Sequence, residues 1–176
     1  MQTPSSAAAP AAPPANVAPV PVLEARSVFR FRAVEGQQLP IVRDVSFSLR
    51  AGEFATIMGP SGSGKSTLLH LLAGLEKPSA GEILVAGQDL GRGDEEHRAA
   101  VRRSRIGFIF QFFHLLPDLT VHENVTLPLR IAGQNPRKHQ GRIHNLLELL
   151  GVEKLHKRLP SALSGGEMQR VSIARA

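Results

Sequence analysis

Apolar residues along the chain fall into short blocks whose period changes from segment to segment. Phe54-Ala55-Thr56-Ile57-Met58 is a compact apolar, partly β-branched run bounded by Gly52 and Gly59, the pattern of a buried strand. Leu68, Leu71, Leu72 and Leu75 then recur at i, i+3, i+4 and i+7, one face of a helix, with Gly74 and Pro78 bracketing its end. Glu82 to Ala86 reads as a second strand that turns at Gly87, and Ile106-Gly107-Phe108-Ile109-Phe110 as a third. Between them, Asp94 to Ser104 predicts a polarised helix. Asp94, Glu95 and Glu96 open it and Arg102, Arg103 and Arg105 close it, which suits both ends of the helix dipole and gives the charges a structural role. Beyond Gln111 the texture becomes helical. Thr120-Val121-His122-Glu123 is a capping box, and Ile143, Leu146, Leu147 and Leu150 repeat the helical stripe up to Gly151. Strands followed by helices make this an α/β chain, with residues 112–163 as a helical subdomain.

Composition narrows the picture. A chain of 176 residues is room for one domain. It has no cysteine, hence no disulfide frame and no thiolate metal site, and no apolar run reaches the roughly 18–20 residues of a spanning helix. The first 21 residues hold six Pro and seven Ala without a charge; such a segment favours neither helix nor sheet and is expected to be a disordered tail, leaving 22–176 as the folded domain. The formal charge of +6 is spread along the chain without Trp or Tyr to stack bases, so no nucleic-acid partner is expected. The histidines form no ligand set: His139 and His144 are five apart, and His122-Glu123 has no second His one helical turn on.

The chemistry lies in the loop between the first strand and the first helix. Gly59-Pro60-Ser61-Gly62-Ser63-Gly64-Lys65-Ser66 is a phosphate-binding loop in its required setting. Its glycines allow backbone conformations in which successive N–H groups turn inward around phosphate oxygens, and the helix that begins near Gly64 adds its positive end. Lys65 supplies a charge toward the β- and γ-phosphates, Ser66 a hydroxyl for Mg²⁺, and Thr67 a further phosphate contact. Gln111, at the C-terminal end of a core strand, is where α/β sheets meet their ligands, within reach of Mg²⁺ or an attacking water. Ser164-Gly165-Gly166-Glu167 is a second capping box. Two glycines in its first turn leave N–H donors open, which makes this helix start an anion site.

With both motifs in place, Leu163 to Arg170 followed by Val171-Ser172-Ile173-Ala174-Arg175-Ala176 resembles the signature helix of ABC transporter ATPases, and Gln111 stands where that family has its glutamine. Gly107 to Pro117 and Leu127 to Gly133 are similar to the branch serving lipoprotein release and macrolide-type export. The resemblance covers 22–176. It implies a phosphate-loop ATPase core with a helical subdomain, ATP and Mg²⁺ as cofactors, and head-to-tail pairing of two ATPase subunits. ATP on Gly59, Pro60, Ser61, Gly62, Ser63, Gly64, Lys65, Ser66 and Thr67 of one would be closed over by Ser164, Gly165, Gly166 and Glu167 of the other. Lys65 and Gln111 would serve hydrolysis, and Ser66 with Gln111 would hold the metal. It also implies a membrane permease partner, touched near Gln111 to Leu116 where Phe112, Phe113, Leu115 and Leu116 lie, and a place on the cytoplasmic face of the inner membrane.

Two positions depart from the family. Arg32 stands where a Tyr against adenine is expected, with Phe31 beside it. The strand ending in Asp, the catalytic Glu and the switch His that should follow the signature helix are not in the sequence, so the sheet is expected to be incomplete. The chain is expected to be the N-terminal part of a longer protein, with little turnover alone. The alternative functions are a hydrolysis-incompetent ATP-binding fragment, an ABC-type ATPase acting on nucleic acid or ribosomes, and a small phosphoryl-transfer kinase, which would leave the signature helix unexplained.

Overall fold

The structure is a computed structural model and describes residues 20–176; the expected tail lies outside the described residues up to residue 19. Its sheet has four strands: β1 (Leu23–Val34), β2 (Gln37–Leu49), β3 (Ala80–Val85) and the short β4 (Gln88–Asp89). They lie in the order β2-β1-β3-β4 and every pair is antiparallel. β1 and β2 form a long hairpin turned at Glu35-Gly36, both with positive φ, the geometry that suits a two-residue hairpin loop. β3 is the strand expected over 82–86.

The described residues also form five α-helices, α1 (Lys65–Leu72) between β2 and β3, then α2 (Glu95–Arg105), α3 (Val121–Ile131), α4 (Gln140–Leu149) and α5 (Gly165–Arg175) after β4. α1, α2, α3 and α5 start near the predicted residues, and α4 carries the predicted stripe from Ile143. Asp94 caps α2 by accepting from His97 N–H. The polarised charges of α2 are structural: Glu95 pairs with Arg98 and Arg102, and Arg102 also donates to Gly74 O at 2.6 Å, tying α2 to the end of α1. Both capping boxes, at Thr120 and Ser164, are formed with their two reciprocal bonds. α1 stops at Leu72, so Leu75 falls beyond the helix and is exposed.

Two hydrophobic clusters hold these elements. The first joins the sheet to α1 and α2 through Val28, Val42, Leu71, Ile83 and Val101. The second joins α3, α4 and α5 through Val121, Val125, Ile143, Leu147 and Val171. In it Asn124 is fully buried and spends its amide locally. It accepts from Leu116 N–H and donates to Leu116 O, Leu119 O and Thr120 O, which fixes the loop entering α3. Buried amides of this kind are stabilising only when fully satisfied.

The two loop-flanking runs depart from expectation. Residues 54–58 and 106–110 carry no sheet pairing among the described residues. Phe54 is 92% and Met58 85% exposed, where a buried strand was expected; only Ile57 and Ile106 pack on the first cluster. The reason is non-local. The strands that do form pair antiparallel, β1 with both β2 and the distant β3, whereas residues 54–58 and 106–110 have no strand partner among the described residues.

Candidate functional site

The phosphate loop runs from Gly59 into α1, and the close packing of β2 beneath it explains its last glycine. Gly64 is the N-cap of α1 with φ 88° and ψ 5°. A Cβ there would stand 2.6 Å from Ile41 O, so a side chain is excluded both by the left-handed backbone and by the neighbouring strand. The result is a cleft of about 370 Å³ lined by Arg32, Ile41, Ser61, Gly62, Gly64, Lys65, Ser66 and Thr67. Backbone N–H groups of Gly62, Gly64, Lys65, Ser66 and Thr67 are not taken up by another protein group among the described residues. Five unpaired donors in the loop and the first turn of the helix, with a lysine among them, fit a polyphosphate.

Lys65 Nζ donates to Gly59 O at 3.0 Å and Pro60 O at 2.6 Å. These two bonds hold the ammonium over the loop and leave its third donor for an anion. The Ser66 hydroxyl lies on the same cleft, one residue into α1, where an oxygen ligand for a hydrated Mg²⁺ is needed. Arg32 lines the cleft from β1. Ile41 was not singled out from sequence. The close approach of its carbonyl oxygen requires glycine at 64, a contact 23 residues apart that no local pattern displays.

The structure does not bring the other predicted site residues into this cleft. Gln111 is exposed in a turn closed by Phe113 N–H to Phe110 O, outside the cleft lining. Phe112 is 77% exposed and Leu116 partly exposed. Phe113 and Leu115 are half-buried, and Leu115 packs on the second cluster.

Ser164 to Glu167 form the start of α5 in the second cluster, likewise apart from the cleft. The Ser164 N–H and hydroxyl both donate to the Glu167 carboxylate, at 2.7 and 2.8 Å. A Cβ on Gly165 would meet nothing within 4 Å, and on Gly166 only the end of Arg170 at 3.5 Å. This chain's own packing therefore leaves the space in front of α5 open for something to approach.

The bonds from Ser164 hold the Glu167 carboxyl below its ordinary value of 4.5, and those from Thr120 do the same for Glu123. A lowered folded pKa adds stability that is complete above the unfolded value and is lost as pH falls through the folded one. Melting temperature is expected to drop as pH falls below about 4.5, and Glu167→Gln is expected to flatten that slope, with Glu123→Gln adding to it. Melts between pH 3 and 6, on the order of the carboxylate range, check this.

The model of the ABC transporter family matches residues 42–176. The chain is 47% identical over 155 residues to the lipoprotein-releasing system ATP-binding protein LolD of Maricaulis maris, covering 88% of this chain and 68% of that protein. It is 44% identical over 156 residues to LolD 2 of Caulobacter vibrioides, covering 89% and 68%. Two solved dimeric structures of the cassette MJ0796, one in a post-hydrolysis state bound to ADP and Pi, superpose with a TM-score of 0.79 at 35% identity, over 87% of this chain and 68% of theirs. The phosphate cleft, the open start of α5 and these likenesses agree: the chain belongs to the ABC transporter family of ATP-binding cassettes, an ATPase family.

Proposed function

We propose that this chain is the ATP-binding subunit of a lipoprotein-releasing type of ABC transporter, coupling ATP to a membrane permease from the cytoplasmic face. The observation that carries the reading is the pair of anion-ready helix starts, α1 and α5, built into different hydrophobic clusters. The relatives named for lipoprotein release support the branch. Among the described residues no helix is long and apolar enough to cross a membrane. In domain terms, residues 22–176 form the ATP-binding domain, with 112–163 as its helical part.

In this reading the loop N–H groups and Lys65 cradle the β- and γ-phosphates, and the third Lys65 proton follows the charge that develops on the transferred group. Ser66 would hold Mg²⁺ together with Gln111 once the exposed turn that carries Gln111 swings to the cleft, and the ion would supply positive charge to the phosphates; from the same place Gln111 would orient water. Its exposed turn lies next to Phe112, so this stretch is also where the permease would dock. Gly165 and Gly166 offer their N–H groups to the γ-phosphate held by a second subunit, and Ser164, whose hydroxyl and N–H here donate to Glu167, would release that carboxylate to join them. Arg32 lines the cleft, and its guanidinium would stack on adenine in place of an aromatic ring.

Calorimetric titration with ATP·Mg²⁺, followed by affinity capture from detergent-solubilised membranes, tests this. Saturable binding and recovery of a permease support the reading. Recovery of ribosomes or nucleic acid, or no ATP binding, would overturn it.

A further inference from the structure

Immediately after Gln111 the backbone takes a form that bulky side chains avoid. Phe113 has φ 58° and His114 φ 48°, two consecutive non-glycine residues in the left-handed region. Phe113 N–H closes a turn to Phe110 O, and His114 N–H closes a still tighter one to Phe112 O. A strained pair of this kind persists only when its surroundings over-determine it.

The surroundings come from α5. Arg175 Nη1 donates to His114 O at 2.5 Å and Nη2 to Phe113 O at 2.7 Å, while the buried Ser172 hydroxyl donates to Phe113 O at 3.3 Å. Arg175 has no carboxylate within ion-pair distance among the described residues, and its half-buried guanidinium is directed at these carbonyls alone. The two bonds use the planar fork that arginine has and lysine lacks.

On the other side the same loop reaches α1. The His114 ring meets Phe110 edge-on with centroids 4.7 Å apart, Phe110 lies 4.4 Å from Phe108, and Phe108 lies 6.2 Å from His70 of α1. A continuous line of contacts therefore joins the helix that starts at the phosphate loop to the helix that starts at Ser164.

We propose that Arg175, assisted by Ser172, is a positioning residue that clamps Phe113 and His114 in their left-handed conformations, so that the Gln111 turn moves with α5 and senses nucleotide through the His70–Phe108–Phe110–His114 contacts. The part that senses nucleotide rests on ATP binding at Gly59–Thr67. A mutant cycle measures this coupling directly.

The chain has no Trp or Tyr, so Phe112→Trp gives a single emission reporter at an exposed position beside Gln111. In this background Arg175, Arg175→Lys and Arg175→Met are compared, each with and without His114→Gly. Calorimetry measures ATP·Mg²⁺ affinity, emission the loop response, and urea midpoints the stability. With Arg175, nucleotide is expected to shift the emission. Arg175→Met is expected to abolish that shift with affinity unchanged, and Arg175→Lys to restore it only in part. His114→Gly is expected to shrink the loss of urea midpoint caused by Arg175→Met, because glycine adopts the left-handed form without the clamp.

Additive urea midpoints, an unchanged shift in Arg175→Met, or no shift with Arg175 while ATP is bound would each overturn the clamp. Should Arg175→Met not fold, Ser172→Ala with and without His114→Gly carries the same cycle. Absence of calorimetric binding in every variant overturns the nucleotide reading alone, and the urea cycle still decides the clamp.

Discussion

Lys65→Met is expected to weaken ATP·Mg²⁺ binding by roughly 100-fold with little change in thermal stability, whereas Gly64→Ala is expected to lose both. For Lys65 the loss is electrostatic. A charge-assisted bond of about 1.5–3 kcal/mol to the terminal phosphates disappears, and 1.4 kcal/mol is a factor of ten. The fold tolerates it, because the ammonium bonds only the loop carbonyls of Gly59 and Pro60. For Gly64 the loss is steric. The new methyl would stand 2.6 Å from Ile41 O on a backbone with φ 88°. A left-handed non-glycine costs about 1–2 kcal/mol before any clash. Relieving the clash pushes the start of α1 away from β2 and disperses the unpaired N–H groups of the loop. Parallel melts and titrations separate the two mechanisms. Equal binding by wild type and Lys65→Met would remove the phosphate cleft from the function.

The contrast between these neighbouring residues shows what a linear pattern carries. Lys65 is legible because the loop motif names it, and the two capping boxes at Thr120 and Ser164 are legible because both partners lie three residues apart. The helical stripes of α1 and α4 were readable for the same reason.

The hairpin β1–β2 was not. Its register shifts between Ala25 and Val28 and again near Arg30, so buried Ala25 and Val28 are three apart and break the two-residue alternation that marks a strand. Residues 54–58 read as a strand from composition, yet composition carries no information on what a strand pairs with, and Phe54 lies open. Arg175 was invisible as a site residue, since the carbonyls it holds are 61 and 62 residues away in sequence.

The second large effect tests whether the two helix starts serve different molecules. Gly165→Asp is expected to leave the fold and single-chain ATP binding intact, because a side chain at 165 meets nothing within 4 Å and the cleft around Lys65 does not include α5. It is nevertheless expected to abolish ATP-dependent dimerisation, since a carboxylate set in front of α5 repels a partner's γ-phosphate where N–H donors should receive it. The decisive arm is a mixture. Lys65→Met chains have a poor loop and an intact signature, and Gly165→Asp chains the reverse. Paired head to tail, a mixed dimer contains one site with both halves intact and one with both halves damaged. Sedimentation of the mixture with ATP·Mg²⁺ is therefore expected to show dimers that neither variant forms alone. If the two motifs met within one chain, every site in the mixture would carry one damaged half, and no dimer would be gained. The mixing experiment thus reads directly the division of labour that the separate placement of α1 and α5 implies.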